Sequence, residues 1–208
     1  MTADPLFSLP RTTKPADWFE RILPTLPLQL PKTTIDLAIV YHIHGPGGGA
    51  WTVRIRDGQF EVQSGIHGPW FVQISMTTAH LREFIAGAMR DRGATVLRRL
   101  GLPVAVPNLQ RLPMDPKRAA ALQALSGSIA VVLQDREIDD EYRFVFSFGP
   151  QPAVLKPSTT TLTVDLDDLV TLVAAKTPPL QLLMGGQLRV SGDAGLPVRA
   201  MQLLLGAT

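Results

Sequence analysis

From Tyr142 to Phe148 every second residue is aromatic: Tyr142, Phe144, Phe146 and Phe148 alternate with Arg143, Val145 and Ser147. Successive side chains of a β-strand point to opposite faces, so this spacing makes a strand with one wholly aromatic face. A helix would scatter the four rings around its circumference. Such a face has to be covered by other parts of the chain. Hydrophobic residues make up 45% of the 208, enough for a core, and only 18% are charged, against roughly 25% in an average soluble domain.

The same alternation recurs upstream. Over 34–44, Ile35, Leu37, Ile39, Tyr41 and Ile43 share one face, with Asp36, Ala38, Val40, His42 and His44 on the other. Trp51, Val53 and Ile55 follow, then Asp57-Gly58, then Phe60 and Val62. Asp-Gly between two alternating runs predicts a two-residue hairpin, because both turn positions take positive φ. A further strand is expected over about 70–75.

Helical spacing appears between these runs. Pro15 suits a first helical turn, with Trp18, Phe19, Ile22, Leu23 and Leu26 behind it and Pro24 and Pro27 ending it. Leu81, Phe84, Ile85, Ala88 and Met89 mark an amphipathic helix capped by Thr77 or Thr78. Residues 90–113 read as a basic, proline-broken connection holding a short helix at 94–100. Asp115 and Pro116 then start a helix that ends before Gly127. Strands are expected at 128–134, 142–148, 152–156 and 159–164, with an acidic turn over 135–141. Asp165 caps a helix carrying Leu166, Leu169, Val170, Leu172 and Val173, stopped by Pro178-Pro179. The class is α+β.

Several functions are excluded or weakened by composition. The net charge of +2 and the small basic groups do not make a nucleic-acid face. With no cysteine there is no disulfide framework, thiolate metal site or thiol nucleophile. No apolar run reaches membrane-spanning length, and the first residues lack the pattern of a secretory signal, so a cytoplasmic location is expected. His42 and His44, with His67 as a third ligand, are weighed as a metal site and read instead as an exposed strand face. Gly45–Gly49 joins two strands and lacks a following Lys-Ser/Thr, so it is not a phosphate cradle. Asp165, Asp167 and Asp168 are weighed as paired acid–base carboxylates and read as helix-terminal charge. Ser126, Ser128 and Ser191 have no partner base. No catalytic residue, cofactor or metal is expected.

The element order repeats. Trp51…Gly58 and Tyr142…Gly149 lie 91 residues apart, and the strands before the two amphipathic helices lie about 90 apart. This spacing suggests two related units: an arm, a first unit and a connector over 1–113, and a second unit over 114–208.

The tail is the most specific segment. A short helix with Leu182, Leu183 and Met184 leads through Gly185-Gly186 into a strand at 187–191. Gly192-Asp193 turns into a last helix with Val198, Met201, Leu204 and Leu205 on one side. Gly186, Gln187, Leu188, Val190, Gly192 and Asp193 resemble the closing signature of the sterol carrier protein type-two family. Thr161-Leu-Thr-Val-Asp165 with Leu169 matches its preceding element. The likeness covers about 128–205 well and 34–89 loosely, where the closing strand has no counterpart.

The resemblance implies a largely antiparallel five-stranded sheet with helices on one face. It also implies an apolar tunnel between sheet and helices that takes a sterol, fatty acyl or isoprenoid lipid without chemistry. On that basis Phe144, Phe146, Phe148 and Leu162 form the floor, and Leu169, Leu172 and Val173 a wall. Leu182, Leu183, Met184, Met201, Leu204 and Leu205 form a lid. Partners are the lipid itself, with a homodimer or a lipid-metabolism enzyme left open, and membrane contact is transient at most. The competing expectation is an interaction protein whose tunnel is filled and whose surface dimerises or holds an enzyme, an accessory subunit of isoprenoid-lipid synthesis being one form of it.

Overall fold

The computed structural model describes residues 9–27, 36–100, 115–151, 153–173 and 179–205. Eight strands form one sheet in the order β3-β2-β1-β4-β6-β5-β7-β8. The strands are β1 Leu37–His44, β2 Gly49–Arg56, β3 Gln59–Ser64, β4 Val72–Thr77, β5 Gly127–Asp135, β6 Asp140–Phe148, β7 Thr160–Asp165 and β8 Leu188–Gly192. The helices are α1 Thr78–Ala86, α2 Ala88–Arg99, α3 Pro116–Gln123, α4 Leu166–Val173, α5 Pro179–Met184 and α6 Gly195–Leu205. Near the start of the chain lie a π-helical turn, Asp17–Ile22, and a 3-10 turn, Leu23–Thr25.

The sheet differs from the five-stranded, largely antiparallel expectation. It is mixed: β1 with β4 and β5 with β7 are parallel, and the other neighbours are antiparallel. Parallel neighbours need a crossover, and both crossovers arise because the chain leaves a hairpin and re-enters beside its first strand. Each half contributes four strands. Within the first half the order is β3-β2-β1-β4, and within the second it is β6-β5-β7-β8. The halves meet where β4 pairs antiparallel with β6, through Gln73↔Ser147, Ile74↔Phe146 and Ser75↔Val145. One continuous sheet therefore runs through the whole chain.

Local chemistry explains most boundaries. Asp57 and Gly58 both take positive φ, 52° and 75°, as a type I′ hairpin requires. Thr77 caps α1 by accepting from the His80 N–H, and Asp115 caps α3 by accepting from the Arg118 N–H. Asp165 Oδ1 accepts from the Asp167 N–H at the start of α4. Two expectations are corrected. Residues 88–99 form a full helix, α2, separated from α1 at Gly87, where the carboxylate of Glu83 receives the Ala88 N–H. Residues 153–156 form no strand; the Leu155 carbonyl accepts from Arg143 Nε.

One face of the sheet carries the helices. Its upper end, toward Ile43 and Phe144, is a large cluster joining Trp18, Phe19, Trp51, Met76, Leu81, Ile85, Met89, Tyr142 and Leu166. Its lower end has two smaller clusters. Leu37, Ile55 and Phe71 pack with Leu122 of α3, and Ile129 and Phe148 with Leu196 and Ala200 of α6. The second face is built from small or hydrogen-bonded residues: Ala38, Val40, Thr52, Gln73, Ser75, Ala130 and Val145 are all buried. Loop backbone covers part of this face. Arg54 donates to the carbonyls of His67 and Gly68, and Gln73 Nε2 donates to that of Gln151.

Candidate ligand channel

Between the upper and lower clusters, the helix-bearing face has a strip in which each strand's residue is only half-buried. The strip runs through Ile39 on β1, Val72 and Ile74 on β4, Phe146 on β6, Val131 on β5, Leu162 on β7 and Val190 on β8. Direct pairing links Ile39↔Val72, Ile74↔Phe146, Val131↔Leu162 and Leu162↔Val190; between these links Val72 and Ile74 are two apart on β4, and Phe146 and Val131 are diagonal neighbours, paired respectively with the buried Ile129 and Phe144. Phe146, Val131 and Leu162 are flanked on their own strands by buried residues, Phe144 and Phe148, Leu133 and Ile129, Val164 and Thr160, whereas the residues next to Ile39 and Val190, Tyr41 and Leu188, are themselves half-buried. Solvent therefore reaches an apolar line across the middle of this face, and over β6, β5 and β7 that line is sealed on both sides.

No sheet residue of this strip carries a polar side-chain atom. Water in such a place gains no hydrogen bonds from the sheet, while an apolar chain loses none, so the surface favours an apolar occupant. At the β2 end the strip closes: Val53 is buried, and the π-helical turn packs Phe19 against Trp51. Trp51 Nε1 donates to Glu20 Oε1 at 2.8 Å, which ties the turn to β2. At the other end the strip reaches the outer strand β8.

Two tyrosines stand at the upper rim and stay neutral. Burial pushes the Tyr41 phenol up to about 12. Burial, with help from the nearby charge of Asp140, does the same for Tyr142.

The structure divides the residues expected to line the tunnel. Phe146 and Leu162 lie in the strip. Phe144 and Phe148 are buried on either side of it, so the aromatic strand serves core and strip alternately. Leu169 is half-buried against the upper cluster, and Leu172 is half-buried on α4. Leu182 is the buried anchor of α5, at 1% exposure, whereas Leu183 and Met184 face solvent, Met184 at 82%. Met201 is half-buried on α6. The side chains of Val173, Leu204 and Leu205 lie outside the described residues. Ile39, Val72, Ile74, Val131 and Val190 belong to the strip but were not among the expected lining. Their alternation was visible; that the two halves share one sheet was not.

The residues weighed for chemistry have other partners. His42 Nε2 bonds Gln73 Oε1 at 2.9 Å, His67 Nε2 bonds the Ser64 carbonyl, and His80 Nδ1 accepts from the Arg143 N–H at 3.1 Å. Burial lowers the His42 pKa; the bond to Gln73 opposes this, and His44 adds to it. Among the described residues there is no cluster of metal-ligating side chains. Asp167 pairs with Arg92 and Arg99, Asp165 with Arg136, and Asp168 accepts from Gln187. Desolvation, with the charge of Asp165, raises the Asp168 pKa. The acidic start of α4 is thus a capped and bridged helix end. Among the described residues no helix is long and apolar enough to cross a membrane.

The sequence model of the SCP-2 sterol transfer family matches residues 108–205, so the C-terminal half carries that family's pattern. No curated protein sequence matches the chain. Among solved structures, the sterol carrier protein domain 2 of Helicoverpa armigera is 16% identical with a TM-score of 0.35, covering 45% of this chain and 79% of its own. Sterol carrier protein 2 of Yarrowia lipolytica is 19% identical with a TM-score of 0.33, covering 40% and 76%. Sterol carrier protein 2 like 2 of Aedes aegypti is 14% identical with a TM-score of 0.32, covering 56% and 100%.

Proposed function

We propose that this protein binds an apolar lipid along the half-buried strip and carries it without chemical change. One observation carries the reading: an apolar line, half-open to solvent and flanked by buried residues over β6, β5 and β7, crosses the half of the chain that matches the SCP-2 sterol transfer family. The driving force is removal of apolar surface from water, roughly 25 cal/mol per Å² for ligand and strip alike. Among the described residues near α4 the charged groups serve helix capping and ion pairing, and the reading gives them no chemistry on the ligand.

In this reading Phe146 and Leu162 form the floor, and Leu169, Leu172 and Val173 the upper wall. Leu182, Leu183, Met184, Met201, Leu204 and Leu205 form the closing segment. The exposed pair Leu183 and Met184 suits brief contact with the donor surface, since a flexible thioether adapts to irregular apolar partners. The boundary near residues 113 and 114 separates two related units that share one sheet. The four-strand plan of each half, with a parallel crossover into a capped helix, supports a duplication.

The test is extraction of the purified protein followed by mass spectrometry, with displacement of a fluorescent acyl probe. A bound apolar lipid and saturable, competable probe binding are expected. Absence of any co-purifying lipid together with no probe binding overturns the reading.

A further inference from the structure

Resting on that lipid reading, we infer that the N-terminal half supplies part of the same ligand site. The occupant is then a single linear apolar chain lying across the seam between β4 and β6. The strip does not stop at the edge of the half that matches the family. It continues from Phe146 through Ile74 and Val72 to Ile39, all half-buried and on one face. The seam is itself a ligand-facing position, because Ile74 and Phe146 are direct cross-strand partners.

Width and length define the occupant. Over β6, β5 and β7 the open line is one row wide, with buried residues next to Phe146, Val131 and Leu162 on the same face both above and below; on β1 and β4 it is two residues deep, Ile39 with Tyr41 and Val72 with Ile74. The narrow stretch over β6, β5 and β7 suits an extended hydrocarbon chain and leaves no second row there for a broad ring system. From β1 to β8 the line crosses six strands in the order given above. At about 4.8 Å between strands, the five gaps span about 24 Å. Carbon–carbon bonds of about 1.5 Å advance an extended chain by about 1.25 Å per carbon, so the line accepts about 19 carbons. The second half alone, from β6 to β8, spans about 14 Å and accepts about 11.

These lengths separate the shared site from one confined to the second half. Saturated fatty acids of 10 to 24 carbons, delivered on cyclodextrin, are titrated against the full chain, and bound acid is counted by native mass spectrometry. Each methylene that enters the strip tightens binding about fourfold. The shared site predicts affinity that keeps rising to about 18–20 carbons and then levels. Levelling near 12 carbons overturns the inference and leaves lipid binding standing. Uptake of no chain at any length overturns both.

Variants locate the effect. Ile39→Trp, and as a milder second choice Val72→Phe, fill the first-half portion of the line. Each is expected to lower the bound ratio of 18-carbon to 12-carbon acid at least tenfold while 12-carbon binding persists. Leu162→Trp is expected to reduce both chains. Folding is checked by circular dichroism and cooperative unfolding. If a folded Ile39→Trp or Val72→Phe keeps the native ratio while Leu162→Trp removes binding, the ligand is confined to the second half and the inference fails. If neither first-half variant folds, the native chain-length profile alone decides.

Discussion

Replacing Phe19 with alanine tests how the strip is closed at the β2 end. Phe19 is 1% exposed, stacks on Trp51 with ring centres 4.8 Å apart, and leans on Tyr41 at 5.0 Å. A fully buried Phe→Ala change costs about 3–5 kcal/mol, from lost transfer energy and the cavity left behind. Two ring contacts, each worth about 0.5–1.5 kcal/mol beyond burial, lift this site off the bottom of that range, to about 4 kcal/mol. In a chain of this size each kcal/mol lowers Tm by about 2–4 °C, so a loss of about 8–16 °C is expected. Phe19→Leu keeps most of the volume and loses the ring contacts, for about 1–2 kcal/mol. Urea unfolding followed by tryptophan fluorescence measures both variants, with an unchanged m-value as the check that the unfolded state is the same. A loss below about 1.5 kcal/mol for the alanine variant, or equal losses for both, would refute the packing argument.

Three further outcomes follow from the second face and the seam. His42 has a lowered pKa when folded, so between that value and about 6.5 the unfolded chain binds more protons. Its contribution is complete above about pH 6.5 and is lost as pH falls through the folded value; urea midpoints should drop on acidification, and His42→Gln should flatten that part of the profile. Gln73→Leu removes the partner of the half-buried His42 Nε2 and of the Gln151 carbonyl, and should cost about 1 kcal/mol in the same assay, the net value of such hydrogen bonds. Arg92, which joins α2 to Glu137 and to Asp167 on α4 with only 16% of its side chain exposed, should cost about 1–2 kcal/mol when changed to Met. That loss should shrink in 1 M salt as the lost pairs are screened in the native protein too.

Much of the architecture was legible because its signals were local. The alternation of Leu37, Ile39, Tyr41 and Ile43 depends only on neighbours, as do the Asp57-Gly58 turn and the Thr77, Asp115 and Asp165 caps. The family likeness was legible at 186–193 for the same reason. What the sequence hid was long-range. Nothing in Gln73-Ile74-Ser75 announces that it will pair with Val145-Phe146-Ser147, some 70 positions on. Without that pairing, Ile39 and Val72 read as core of a separate unit, and function was expected mainly in the second half. The aromatic strand misled in a subtler way: period two assigns Phe144, Phe146 and Phe148 to one face, but cannot say which of them the helices will seal. Residues 153–156, apolar and between prolines, look like a strand and are drawn off by Arg143 instead.

The seam also sets a timetable for the nascent chain. β4 ends at Thr77, and its partner β6 begins only at Asp140. At about 5–20 residues per second, the ribosome needs about 3–12 s to make the 62 residues between them. Throughout that interval β4 presents an unpaired inner edge, a template on which a strand from another chain can add. Gln73 and Ser75 lie on that edge. Two polar side chains there make it a poorer target for apolar neighbours, and so hold the place open until β6 arrives.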